Sequence, residues 1–115
     1  MDTPLTHQKC VPCEGGTKPM LETEYAQFLD RVPGWSVLDQ LKLQREFKFK
    51  NFKEALNFLN QVGAIAETEG HHPDLNLHSW NRLTITLTTH AIKGLSLNDF
   101  ILAAKINELT SPLQN

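Results

Sequence analysis

Residues 72–90 read HPDLNLHSWNRLTITLTTH, and the parity of the apolar positions decides the fold. Leu75 and Leu77, then Leu83, Ile85 and Leu87, all carry odd numbers. A side-chain period of two marks half-buried strands, so two strands, Asp74 to His78 and Arg82 to Thr89, flank a polar turn. The even positions His72, Asp74, Asn76, His78, Thr84, Thr86, Thr88 and His90 then share the face turned away from the core. With a turn at Trp80 to Arg82, opposed residues have numbers summing to about 162, which sets His72 against His90 with Cβ atoms ~5 Å apart. His71, one residue out of step, points elsewhere, towards the end of the preceding element.

That element is a helix. Asn51 opens it with Glu54 three residues on, in the manner of a capping box, and Gly70 stops it. Phe52, Ala55, Leu56, Leu59, Val62 and Ala66 form its apolar stripe, widened by Phe58 and Ile65, a breadth that predicts burial on more than one side. Upstream, Trp35 to Leu38 and Leu41 to Phe49 read as two further strands about a turn at Asp39 and Gln40. Leu41, Leu43, Arg45, Phe47 and Phe49 share one face there, Arg45 being the member out of character. Tyr25, Phe28, Leu29 and Val32 recur at helical spacing from Glu22 until Pro33-Gly34, and Ser96 to Leu109 gives a last helix.

The order is α-β-β-α-β-β-α, an α+β domain in which a four-stranded antiparallel sheet carries helices packed on one face. Residues 1–20, with Pro4, Pro12, Gly15, Gly16 and Pro19, have no apolar period and form an N-terminal arm or loop, and residues 21–115 form a single domain. A chain of 115 residues suits one core, which buries roughly two-thirds of the surface the unfolded chain exposes.

Composition excludes several function classes. A formal net charge of −2 gives no field for gathering nucleic acid or anionic lipid. No apolar run approaches the ~20 residues of a membrane span, and the N-terminus lacks the pattern of a secretory signal, so a cytoplasmic protein is expected. Cys10 and Cys13 lie too close together to staple a fold, and CVPC lacks the second ligand pair that a zinc site needs. Lys42, Arg45, Lys48, Lys50 and Lys53 alternate with phenylalanines at core periodicity, which reads as a solvated strand edge and not a nucleic-acid stripe.

The chemistry converges on the histidines. Pro73 drives His72 into extended backbone and out of the helix. Glu67 lies one helical turn before His71, within reach of its imidazole. Imidazole exchanges protons near neutrality, so a pair can divide acid and base roles. A lone surface histidine is usually only solvated, which is the reading for His7 and His78, and Asp99 reads first as the capping-box partner of Ser96. Three histidines and a carboxylate could hold zinc, but no ligand pair stands at i, i+4 on one helix face, and no metal site is expected.

AETEGHHPDL, followed after one hairpin by TTH and then GLSLNDFILAAKI, resembles the pterin-4a-carbinolamine dehydratases. The signature of that family is a charged residue, three variable positions, His-His-Pro, one variable position and a bulky residue, met here by Glu67, His71, His72, Pro73 and Leu75. The resemblance covers about Leu21 to Leu109 and implies dehydration of 4a-hydroxytetrahydropterin to quinonoid dihydropterin in tetrahydropterin recycling. It implies His72 and His90 as the acid-base pair, His71 on the pterin or its leaving hydroxyl, and Glu67 orienting a histidine, with Pro73, Thr89 and Asp99 at the pocket edge. No cofactor is implied, the pterin being the substrate, and family members assemble as homodimers or homotetramers. The rival implication is an interaction module resembling a transcriptional coactivator, without catalysis.

Overall fold

The computed structural model describes residues 4–11 and 18–110. Its main elements are α1 (Glu22–Leu29), β1 (Ser36–Leu38), β2 (Lys42–Lys48), α2 (Phe52–Glu69), β3 (Asp74–His78), β4 (Arg82–Leu87) and α3 (Leu97–Thr110). The predicted order therefore stands, with strand ends trimmed by a residue or two and the first helix shortened at its C-terminus. Cys13 and the glycines after it lie outside the described residues. No described helix is long and apolar enough to cross a membrane.

The four strands form one antiparallel sheet in the order β1-β2-β4-β3. Two hairpins thus lie side by side, joined by the β2–β4 ladder from Leu43 opposite Leu87 to Lys48 opposite Arg82. Both hairpins turn through three-residue loops whose first two residues are left-handed: Asp39 and Gln40 in one, Ser79 and Trp80 in the other. Positive φ at consecutive turn positions matches the right-handed twist of the flanking strands.

Parity holds. Leu43, Phe47, Leu83, Ile85 and Leu87 are completely or almost completely buried, while Leu75 and Leu77 pack against them from the edge strand. Register does not. His78 pairs with Arg82 and Asp74 with Thr86, so opposed numbers sum to 160 and not to about 162. The physical reason is the turn, which starts at Ser79 and leaves Arg82 in the strand. Extended further, this register sets position 72 against 88, so His72 and His90 do not face each other across the sheet.

Helix α2 is capped as the sequence predicts. Asn51 Oδ1 accepts the Glu54 N–H at 2.9 Å, and Gly70 closes the other end at φ +67°. That left-handed residue reverses the chain and sends the next residues back across the last turn of α2. Helix α3 is buried around most of its circumference, Phe100, Ile101, Leu102, Ala103 and Ile106 included. Leu5 of the arm joins the core beside it, and Phe28 of α1 meets Phe100 with ring centroids 5.7 Å apart. Periodicity could not place Leu5, because a single buried residue has no period.

Arg45 keeps the core parity by turning its head out. Its guanidinium lies 4.4 Å from the Phe47 ring centroid and donates to Asn107 Oδ1 and the Pro33 carbonyl. The aliphatic stem covers apolar surface while the charge finds acceptors at the margin.

Candidate active site

At one end of the sheet, the turn after α2, the stretch after β4 and the first turn of α3 enclose a cleft of about 260 Å³. His71, His72, Thr88, Thr89, His90 and Asn98 line it, together with Gly70, Ala91 and Val11. The three predicted histidines do converge, though at the sheet's end and not on its polar face. Strand pairing stops at Leu87, and Thr89 then bridges to Gly94. The intervening residues form a tight 3-10 turn, His90–Ile92, closed by Lys93 in the left-handed region. His90 therefore rides on a turn and not on the strand.

His71 faces inward. Its Nε2 lies 2.6 Å from Asp99 Oδ1, with the imidazole 12% exposed and the carboxylate 0%. Asp99 Oδ2 accepts the Thr89 hydroxyl at 2.9 Å and the Ser96 N–H at 3.0 Å. Ser96 and Thr89 hydroxyls meet at 2.7 Å, so with Thr89 donating to the carboxylate, Ser96 donates to Thr89. An ionised Asp99 can only accept, so beside it His71 Nε2 is the donor, and in the neutral imidazole Nδ1 then keeps its lone pair. The capping-box reading of Asp99 is thus half of its work, and the other half holds an imidazole.

Glu67 contacts His72, not His71. The 2.7 Å pair is exposed at 65% for the imidazole and 79% for the carboxylate. The sequence expectation followed helical spacing from Glu67 to His71, but the helix ends at Gly70 and the reversal there brings His72 over Glu67 instead. Pro73 stands half-buried immediately before β3. The His90 imidazole has no hydrogen-bond partner among the described residues and is exposed. His78, at the hairpin end of β3, contacts Thr84 at 2.9 Å and Glu46 at 3.2 Å, away from the cleft. Among the described residues no group of three or more His, Cys, Asp or Glu is placed to hold a metal ion.

Sequence reasoning missed Thr88, Asn98 and Val11. Thr88 follows from the corrected register. Asn98 is buried and clasps the backbone of Val11, accepting its N–H at Oδ1 (2.9 Å) and donating from Nδ2 to its carbonyl (2.5 Å). Nothing in a periodic pattern signals such a clasp.

An α+β domain with two imidazoles at a helix end, a third after the hairpin and an aspartate in the next helix defines a class. The family model for pterin 4 alpha carbinolamine dehydratase matches residues 18–109, and the chain belongs to that family. A protein of Rubrobacter xylanophilus, named as a candidate pterin-4-alpha-carbinolamine dehydratase, is 46% identical over 91% of this chain and 97% of its own. Pterin-4-alpha-carbinolamine dehydratase 2, mitochondrial, of Arabidopsis thaliana is 50% identical over 91% of this chain and 58% of its own. A crystal structure of a transcriptional coactivator/pterin dehydratase from Brucella melitensis superposes with a TM-score of 0.75 at 33% identity, covering 80% of this chain and 98% of that one.

Proposed function

We propose that the protein dehydrates 4a-hydroxytetrahydropterin to quinonoid dihydropterin by histidine acid-base catalysis. The observation that carries this reading is the convergence of His71, His72 and His90 on one cleft, beside a buried carboxylate, in a chain of this family. Loss of water breaks the C4a–O bond as the N5 lone pair forms the C4a–N5 double bond. A proton must reach the departing hydroxyl, and one must leave N5. Two positioned imidazoles supply both transfers, with no metal or organic cofactor in the scheme.

Roles follow from burial and hydrogen bonding. His71, the most enclosed and held by Asp99, suits a fixed contact: its Nδ1 accepts a hydrogen bond from the 4a-hydroxyl and positions the leaving group. His72 and His90 stand at the mouth, where they can give and take a proton and then re-equilibrate with water. Glu67 accepts from His72 Nε2 and leaves Nδ1 for the substrate. Pro73 keeps His72 out of the helix, and Thr89 fixes the Asp99 carboxylate.

A homo-oligomer fits the same reading. Phe52 and Leu56, one helical turn apart on α2, remain 50% and 39% exposed, a contiguous apolar face that a second copy would cover. The coactivator-like alternative is less favoured, since an interaction module has no use for a cleft in which three imidazoles converge, two of them paired with carboxylates.

The deciding experiment is a stopped-flow assay of purified protein with freshly generated 4a-hydroxytetrahydropterin. Acceleration above the spontaneous dehydration rate supports the reading; a rate equal to that of buffer refutes it.

A further inference from the structure

Val11 belongs to no helix or strand and precedes residue 18, where the family match begins, yet it stands in the wall of the cleft. Two independent side chains hold this point of the arm. Asn98 clasps both backbone groups of Val11, and Glu69 Oε1 accepts the Cys10 N–H at 2.9 Å while Oε2 takes Lys105 Nζ at 2.7 Å. Both Asn98 and the Glu69 carboxylate are largely buried, so the backbone of residues 10–11 is fixed to the body of the protein. Val11 nonetheless is 63% exposed, beside a lining otherwise made of imidazoles, hydroxyls, an amide and small residues.

The proposed substrate has one corner suited to such a contact. Its pyrimidine edge carries hydrogen-bonding groups, whereas C6, bonded to N5 and carrying the substituent, and C7 beyond it are saturated carbons. The imidazole that serves N5 therefore stands within a few atoms of the C6 substituent. Val11 is the one branched aliphatic side chain among the described residues that line the cleft.

We infer that Val11, held in place by Asn98, packs against the C6–C7 corner of the pterin and sets which 6-substituent the cleft accepts. The inference rests on the dehydratase reading. Val11 is then a specificity residue and Asn98 a positioning residue.

The test compares wild type, Val11→Ala, Asn98→Asp and Asn98→Ala on two 4a-hydroxytetrahydropterins, one with a 6-methyl and one with a 6-dihydroxypropyl group. Val11→Ala should raise KM roughly three- to tenfold, as loss of two partly buried methyl contacts implies, and change the ratio of kcat/KM between the substrates. Asn98→Ala should shift KM in the same direction, with Asn98→Asp between it and wild type. Unchanged KM and unchanged discrimination in Val11→Ala would overturn the inference, as would a fall in kcat alone. If Asn98→Ala does not fold, Val11→Ala decides by itself. A wild type active on both substrates with silent variants defeats only this inference, whereas one inactive on both defeats the dehydratase reading and the inference with it.

Discussion

His71 Nε2 and Asp99 Oδ1, 28 positions apart in sequence, lie 2.6 Å from each other. The contact ties the end of α2 to the first turn of α3 and leaves Nδ1 as the ring nitrogen that Asp99 does not engage. Asp99 also sits where the unpaired N–H groups and dipole of α3 favour negative charge. One side chain thus caps a helix, holds two loop donors and sets a histidine tautomer.

Asp99→Asn tests that arrangement. The amide can present only one acceptor oxygen, so its NH₂ must face either His71 Nε2–H or the Thr89 and Ser96 donors. Turnover should fall by roughly 10²-fold or more because the tautomer is no longer enforced, and stability should fall by about 1–3 kcal/mol for unpaired buried donors. Thr89→Val removes one donor and should show the same defects in weaker form. Steady-state kinetics with denaturant unfolding measures both, and an Asp99→Asn protein at wild-type turnover would refute the role.

His72→Ala and His90→Ala should each lower kcat by roughly 10²- to 10⁴-fold, the range for a positioned proton-transfer group, with stability nearly unchanged at exposed positions. The double variant should lose much less than the product of the single effects, because both act on one step. His78→Ala, whose contacts are Thr84 and Glu46 at the hairpin end of the sheet, is the control and should turn over normally.

Turnover should survive exhaustive dialysis against a chelator, since proton transfer through imidazole requires no metal. Loss of activity in chelator, restored by adding zinc, would replace the acid-base reading with a metal-dependent one.

Much of this was legible in the sequence, and the misses have physical causes. Alternation fixed the strands and the faces of Leu83, Ile85 and Leu87, because burial of one face repeats every second residue. Capping chemistry located both ends of α2 at Asn51 and Gly70. The pairing register escaped because Ser79 and Trp80 adopt left-handed conformations that their residue types do not announce. That error misplaced His90, and ignorance of the reversal at Gly70 gave Glu67 the wrong histidine. The arm contacts escaped altogether: Leu5, Cys10 and Val11 are fixed by single long-range contacts, which leave no periodic trace.

Glu69 makes the hold on the arm sensitive to acid. The hydrogen bond from Lys105, then that from the Cys10 N–H, hold its carboxyl below the ordinary 4.5. A carboxyl with a lowered folded pKa is deprotonated more readily in the native state, so its stabilisation is complete above the unfolded value and disappears as pH falls through the lowered folded value. Thermal melts from pH 7 to pH 3 should show wild type ahead of Glu69→Gln by a constant margin at neutral pH, narrowing only below about 4.5. A margin that stays constant through acid would show that the ion pair contributes nothing.

Gly94 limits the turn that carries His90 through space alone. A Cβ built there would lie 2.6 Å from Pro19 Cβ and 3.0 Å from its Cγ, and the proline ring cannot rotate aside. The turn cannot yield freely either, since Thr89 N–H donates to the Gly94 carbonyl at 2.9 Å and Met20 N–H to the next carbonyl, Leu95, at 2.8 Å. Gly94→Ala should therefore destabilise by about 1–3 kcal/mol, as overpacking does, and lower turnover by displacing His90. Gly70→Ala isolates the other cost a glycine can carry: nothing lies within 4 Å of its Cβ, but φ is +67°, so the loss should be confined to about 1 kcal/mol of conformational strain. Pro19→Gly, which deletes the opposing atoms, should return most of the stability and turnover lost in Gly94→Ala. A double-variant cycle of melting and kcat measures the coupling, and simple additivity of the two changes would show that the Pro19 contact is not the constraint.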